Sequence, residues 1–313
     1  MSKKKEHNIL TEYIEYIIVL VCVRIFSLIP YRLASDIGGF IGRLGYLIDS
    51  RHRLIALKNL SMAFPEKDSK NIALIAKMSF KNLGRSAAEF IHIASHSPDT
   101  VYKILNKSVT VEGRDNIDNA IKKGRGVLYL TAHFGNWELL GIVLTTNGCT
   151  LNVIARPLDN RRVDNIITSL RSVTGANVLP KKGVLRDMLK CLKRGEGIGI
   201  LLDQNSSINE GVFVDFFGQP AATNRGLALI AMKSGASVVP TFIIREDTYK
   251  HRVTYLPEIE LIRSEEKDND VISNTQMFTT AIESFARLYP EQWFCNIPLY
   301  EWCRHDLFLF LRV

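Results

Sequence analysis

Cysteine is sparse: the 313 residues contain only Cys22, Cys149, Cys191, Cys295 and Cys303, scattered and with no C-x-x-C pair. An odd, dispersed set argues against a disulfide framework and a zinc site, and points to a reducing compartment. A clean membrane span is also lacking. The N-terminal apolar stretch from Tyr16 to Ile29 is interrupted by Arg24, ends at Pro30, and falls short of the roughly 20 residues that a spanning helix needs. No small-residue cleavage site follows it closely, which disfavours a secretory signal peptide. The stretch reads as a tilted or interfacial membrane helix, with a buried amphipathic helix as the competing assignment. Lys3-Lys4-Lys5 would keep its N-terminus cytoplasmic. There is no internal repeat, no low-complexity segment, and no recognition-helix or RNP-type signature for nucleic acid.

What is present is a 46% hydrophobic composition, enough to bury a large core, and a formal charge of +8 from 40 basic against 32 acidic residues. The positive excess is spread out, with runs at Lys3–Lys5, Arg161-Arg162 and Lys181-Lys182, and suits a polyanionic partner such as an anionic membrane surface. Four regions follow from the patterning: a basic N-terminus and membrane-associated helix (1–30), a helical region (31–105), an α/β domain (106–294) and a divergent C-terminal tail (295–313).

In the second region, Ala34–Ile48, Arg51–Phe64 and Lys70–Ser95 carry apolar residues at helical spacing, and Pro65 ends the middle one. Beyond Val109, strands expected at 127–132, 151–155, 198–202 and 238–244 alternate with helices expected after the first strand and at 163–173, 184–193 and 224–233. Such alternation predicts an α/β fold, a central mixed sheet flanked by helices, with ligands beyond the carboxyl ends of the strands. His133, Arg156 and Asp203 all fall at such ends.

The most informative stretch is Gly126–Gly141. Val127–Ala132 reads as a strand, His133-Phe134-Gly135 as a turn, and the apolar run after Asn136 as a helix with Asn136 as its N-cap. On one continuous helix His133 and Glu138 would lie about 140° apart, a poor pair. With His133 in the turn and Glu138 in the first helical turn, the carboxylate can accept from one imidazole nitrogen and leave the other facing a cleft, as a general base requires. The structural alternative is His133 packed at a helix start with Glu138 complementing the helix dipole.

Three further clusters supply candidates. Arg156-Pro157-Leu158-Asp159-Asn160, with Arg171 downstream, could hold a phosphate or a developing oxyanion, or form a solvated basic face. Asp203 ends a strand and could cap a turn. Gly211–Thr223 is expected to be an apolar, aromatic loop, serving either as core packing or as a wall for an acyl chain.

These motifs resemble the bacterial lipid A biosynthesis acyltransferases of the lauroyl and myristoyl type, within the lysophospholipid acyltransferase superfamily. The resemblance rests on His133–Glu138 as an H-x4-D/E motif, Arg156–Asn160, Val212–Thr223 and Ser234–Pro240, with Lys58–Glu66 and Asn82–Arg85 upstream. It covers roughly residues 15 to 294. It implies an enzyme on the cytoplasmic face of the cell inner membrane that moves a fatty acyl group from acyl carrier protein thioester to a hydroxyl of a lipid A precursor, without a metal or other cofactor. His133 and Glu138 would be catalytic, His133 as base and Glu138 orienting it. Asn136, Arg156, Asn160, Arg171, Asp203 and Thr223 would form the substrate-binding set, with Arg156, Arg171 or backbone amides near Gly135 facing the oxyanion or a phosphate. The sequence departs from the family after Phe294. The alternatives are an acyltransferase acting on another lysophospholipid or glycolipid, and a non-catalytic membrane lipid-binding protein.

Overall fold

The computed structural model describes residues 9–180, 183–207 and 209–294. The basic run at 3–5, the pair 181–182 and the tail 295–313 lie outside the described residues. Five helices come first: α1 (Ile9–Leu28), α2 (Tyr31–Ile48), α3 (Ser50–Ala63), α4 (Ser69–Ala94) and α5 (Pro98–Ser108). Their boundaries follow local chemistry. Pro30 separates α1 from α2, Asp49 caps α3 by accepting from His52 N at 3.0 Å, and Asp68 caps α4 by accepting from Asn71 N at 2.7 Å.

Next come β1 (Val109–Glu112), α6 (Arg114–Lys122), β2 (Val127–Thr131), α7 (Trp137–Thr146), β3 (Leu151–Ala155), α8 (Arg161–Arg171), β4 (Asn177–Pro180), α9 (Leu185–Lys193) and β5 (Gly197–Leu201). The chain continues through β6 (Gly211–Phe216), β7 (Gln219–Asn224), α10 (Gly226–Ser234), β8 (Ser237–Asp247), β9 (Lys250–Tyr255), α11 (Lys267–Leu288) and a 3-10 turn, Pro290–Gln292. The seven-stranded sheet runs β1-β9-β8-β2-β5-β3-β4, with β8 and β9 antiparallel and every other neighbouring pair parallel. The expected mixed sheet is therefore present.

Strand β2 sits at the centre and is buried throughout, as a strand covered on both faces must be. Its alternation divides the core. Leu128 and Leu130 join the cluster with α3, α9, α10 and α11, whereas Val127 and Tyr129 join the cluster with α5, α6 and α7.

Helices α2 and α4 cross closely enough that a Cβ on Gly84 would collide with the Gly38 carbonyl oxygen and the Gly42 backbone. This packing lays α2 along α4. Gly211–Thr223, expected as a loop, is instead the β6–β7 hairpin. Its two-residue turn, Phe217-Gly218, has φ of 56° and 75°, the left-handed pair that suits the twist of a tight hairpin.

No helix among the described residues is long and apolar enough to cross a membrane. Helix α1 is nevertheless continuous and exposes Ile14, Ile17, Ile18, Val21 and Ile25, while α2 exposes Phe40, Ile41, Leu47 and Ile48.

Candidate active site

The site grows from strand register. In the parallel pair β2–β5, Thr131 lies opposite Leu201. Two residues further along each strand, His133 and Asp203 emerge side by side at the carboxyl edge, although 70 positions separate them in sequence. The His133 backbone N donates to Asp203 Oδ2 at 3.0 Å, and its ring Nδ1 donates to Oδ1 at 2.8 Å. The carboxylate can only accept, so it fixes the proton on Nδ1 and leaves the lone pair on Nε2. The Asp203 side chain is 2% exposed and that of His133 is 20% exposed, so the carboxylate is sequestered while the imidazole remains reachable. Trp293 Nε1 donates to Asp203 Oδ2 at 3.4 Å, and Trp137 packs edge-on against the imidazole with ring centroids 5.2 Å apart.

The expected hydrogen bond from His133 to Glu138 does not form. Glu138, in the first turn of α7, faces α8 and receives Arg171 Nε at 2.9 Å and Nη2 at 2.5 Å. Helix geometry explains the outcome: the turn directs His133 towards β5, while α7 carries Glu138 around to α8. Burial alone would lower the Arg171 guanidinium pKa, but its Glu138 bonds overcome that and raise it, as expected of a committed ion pair.

The remaining candidates separate by position. Thr223 is buried on β7 and lines the same small recess as Asp203, together with Leu202, Gln204, Phe216 and Ile282. Arg156 follows β3, one strand beyond β5, and pairs with Asp159 at 3.5 Å. Asn160 caps α8, and its amide donates to Glu12 O and Glu15 Oε2 of α1, both at 2.8 Å. Asn136 caps α7 through Leu139 N at 3.1 Å and is fully buried. Asn136 and Asn160 thus serve as structural joints, and neither presents its amide to the recess beside His133.

Of the backbone amides around Gly135 expected as oxyanion donors, three are already engaged. His133 N is on Asp203, Phe134 N donates to Ala132 O at 2.7 Å, and Gly135 N donates to Gln292 O at 2.8 Å. Phe294 N returns the pairing to His133 O at 2.8 Å, so the segment after α11 lies antiparallel along the turn. Gly135 has φ of 56°, and a Cβ there would strike the Ile243 carbonyl oxygen. Glycine is required at this position.

Behind the turn lies a buried network that the sequence reading missed. Ser79, Asn82, Ser86 and Glu89 form a polar stripe along α4. Ser79 Oγ donates to Trp293 O at 3.1 Å, Asn82 Nδ2 to Glu291 O at 2.8 Å, and Ser86 Oγ to Gly135 O at 3.0 Å. Fully buried Glu89 accepts from Asn136 Nδ2 at 3.1 Å, Ser35 Oγ at 2.6 Å and Arg245 Nη2 at 2.8 Å. One helix therefore holds both the turn after β2 and the segment after α11. Polar residues three and four apart within an apolar helix were the available signal.

The sequence matches the family described as bacterial lipid A biosynthesis acyltransferase over residues 1–299. It is 28% identical over 236 residues to a lipid A biosynthesis palmitoleoyltransferase of Escherichia coli, covering 74% of each chain. A lipid A biosynthesis acyltransferase of Haemophilus influenzae is 26% identical over 271 residues, covering 86% of this chain and 82% of the relative. A phosphatidylinositol mannoside acyltransferase of Mycobacterium tuberculosis is 26% identical over 192 residues, covering 56% of this chain and 60% of the relative. With a family match spanning nearly the whole chain, this protein belongs to the bacterial lipid A biosynthesis acyltransferases and is an acyltransferase enzyme.

Proposed function

We propose that the protein transfers a fatty acyl group from an acyl carrier protein thioester to a hydroxyl of a lipid A precursor, at the cytoplasmic face of the inner membrane. The observation that carries this reading is His133 held by Asp203 through Nδ1, with Nε2 left as the proton acceptor. In the reaction, Nε2 takes the proton of the acceptor hydroxyl as the oxygen attacks the thioester carbonyl. Asp203 stabilises the imidazolium that forms, and His133 then returns the proton to the departing sulfur. Glu138 and Arg171 act one step removed, tying the start of α7 to α8 and so fixing the helix that follows the catalytic turn. The small recess beside Asp203 sets apolar Leu202, Phe216, Ala221 and Ile282 beside polar Gln204, Asn205, Thr223 and Thr279.

Membrane attachment is supported by the exposed apolar residues of α1 and α2, which suit insertion to interfacial depth. The positive charge of the chain suits acidic carrier protein and phosphorylated glycolipid alike. The similarity to a phosphatidylinositol mannoside acyltransferase favours one second reading, a different glycolipid acceptor.

Membranes containing the protein, supplied with acyl carrier protein thioester and a panel of hydroxylated glycolipids, will yield one acylated product by mass spectrometry. His133→Ala is expected to reduce its formation at least about a hundredfold. Mass gain on a non-lipid A acceptor alone would select the second reading. No gain on any acceptor would leave only lipid binding.

A further inference from the structure

We propose that the side-chain amide of Gln204 is the donor that holds the thioester carbonyl oxygen as it becomes an oxyanion, making Gln204 a catalytic residue of this site. The inference rests on the acyl-transfer reading above. Attack on a thioester carbon moves the carbonyl electron pair onto oxygen, and catalysis needs a donor about 3 Å from that oxygen, close to the base.

Several other donors around His133 are already engaged. The amides of His133, Phe134 and Gly135 are bonded to Asp203, Ala132 and Gln292. The Trp293 indole donates to Asp203, Arg171 holds Glu138 through two nitrogens, and Arg245 is committed to buried Glu89. Gln204 differs. Its amide nitrogen lies 3.1 Å from His133 Nε2 and 3.3 Å from Nδ1, and the carboxamide makes no other hydrogen bond among the described residues.

Sequence places it there for a simple reason. Gln204 follows Asp203, so the extension of β5 that supplies the carboxylate on Nδ1 continues past the imidazole and brings an amide over the ring, nearly equidistant from its two nitrogens. An amide over the imidazole face leaves the in-plane lone pair of Nε2 open to the acceptor hydroxyl and lies close to the carbon that hydroxyl attacks. Gln204 also lines the recess with Phe216, Ala221, Thr223 and Ile282. A thioester brought to this edge of the site would meet the amide with its carbonyl oxygen.

The step balances without another reactant. The acceptor oxygen forms the new C–O bond, and its proton passes to His133 Nε2. The carbonyl pair moves to oxygen, which accepts from the Gln204 N–H. Collapse restores the carbonyl and breaks the C–S bond, and the sulfur leaves with the proton from His133.

The test is steady-state kinetics of wild type, Gln204→Met, Gln204→Ala and His133→Ala, using a dodecanoyl acyl carrier protein thioester and a hydroxylated lipid A precursor, with melting temperatures measured alongside. Methionine keeps the length of glutamine without the donor, and alanine covers the case in which methionine packs badly. Both Gln204 variants are expected to lower kcat by roughly 10²–10³, with KM changed by less than about threefold and the melting temperature retained. A folded variant with kcat within about threefold of wild type, or a loss confined to KM, would overturn the assignment. Turnover by wild type that is lost in His133→Ala but retained in the Gln204 variants would remove this inference alone. Absence of wild-type turnover would remove the acyl-transfer reading with it.

Discussion

Replacing Glu89 by glutamine removes the charge on which the floor of the site is built. Glu89 and Arg245 have side chains only 0% and 6% exposed, and Glu89 also accepts from Ser35 and Asn136. Removing one member of so buried a pair leaves the other charge uncompensated, at a cost of about 3–5 kcal/mol. At about 2 °C per kcal/mol for a chain this large, Glu89→Gln should melt roughly 6–10 °C below wild type. Tryptophan fluorescence in one detergent would follow this well, because Trp293 is fully buried next to the network. Arg245→Met should cost a similar amount. The double variant leaves no unpaired charge, so its loss should be smaller than the sum of the single losses by at least about 2 kcal/mol. Glu89→Gln within about 1 kcal/mol of wild type, or strictly additive losses, would refute the reasoning. Acid gives an independent reading. Burial pushes the Glu89 carboxyl up, but Arg245 and His251 outweigh it and hold the group at about 2, below its ordinary value of 4.5. A carboxyl depressed in the folded state stabilises the protein above its unfolded value and loses that contribution as protons bind. The wild-type melting temperature should therefore fall between about pH 4.5 and pH 2, and this Glu89 contribution should vanish in Glu89→Gln.

Other perturbations test the site, the packing and the surface in turn. Asp203→Asn removes the charge that receives His133 Nδ1 and should lower kcat at least about a hundredfold with the fold retained; near-normal turnover would remove Asp203 from the mechanism. Gly84→Ala forces a Cβ into the α2 backbone and should cost about 1–3 kcal/mol by overpacking, whereas an unchanged melting temperature would contradict the close helix crossing. Ile17→Asp with Phe40→Asp removes two exposed apolar anchors, each worth about 1.5–3 kcal/mol if fully buried in lipid. Flotation with anionic vesicles should show at least about tenfold less bound protein, and undiminished binding would place the membrane contact elsewhere.

Much of the architecture was readable because it depends on short-range chemistry. Apolar spacing marked α2, α3 and α4, Pro30 and Pro65 marked breaks, and Asn136 marked the start of α7. Buried central strands such as β2 and β8 are visible as apolar runs because both faces are covered. The β6–β7 hairpin was less legible, since its turn uses Phe217 at positive φ where Asn or Gly is the usual signal. Strands β1 and β4, each four residues long and partly exposed, carried too little pattern to register.

The sequence by itself determined that His133 stands in a strand-to-helix turn, that an acid follows on the helix, and that the charge excess is positive. Local chemistry suffices for such features, because propensity, capping and composition act over a few residues. Only the tertiary structure decided which carboxylate serves the histidine. The sequence pointed to Glu138 for the histidine and to Asp203 for a turn cap or substrate binding, but parallel register between β2 and β5 brought Asp203 to Nδ1, while the turn of α7 sent Glu138 to Arg171. Pairing across 70 residues depends on strand order and register, quantities fixed by the packing of the whole sheet and carried by no local segment.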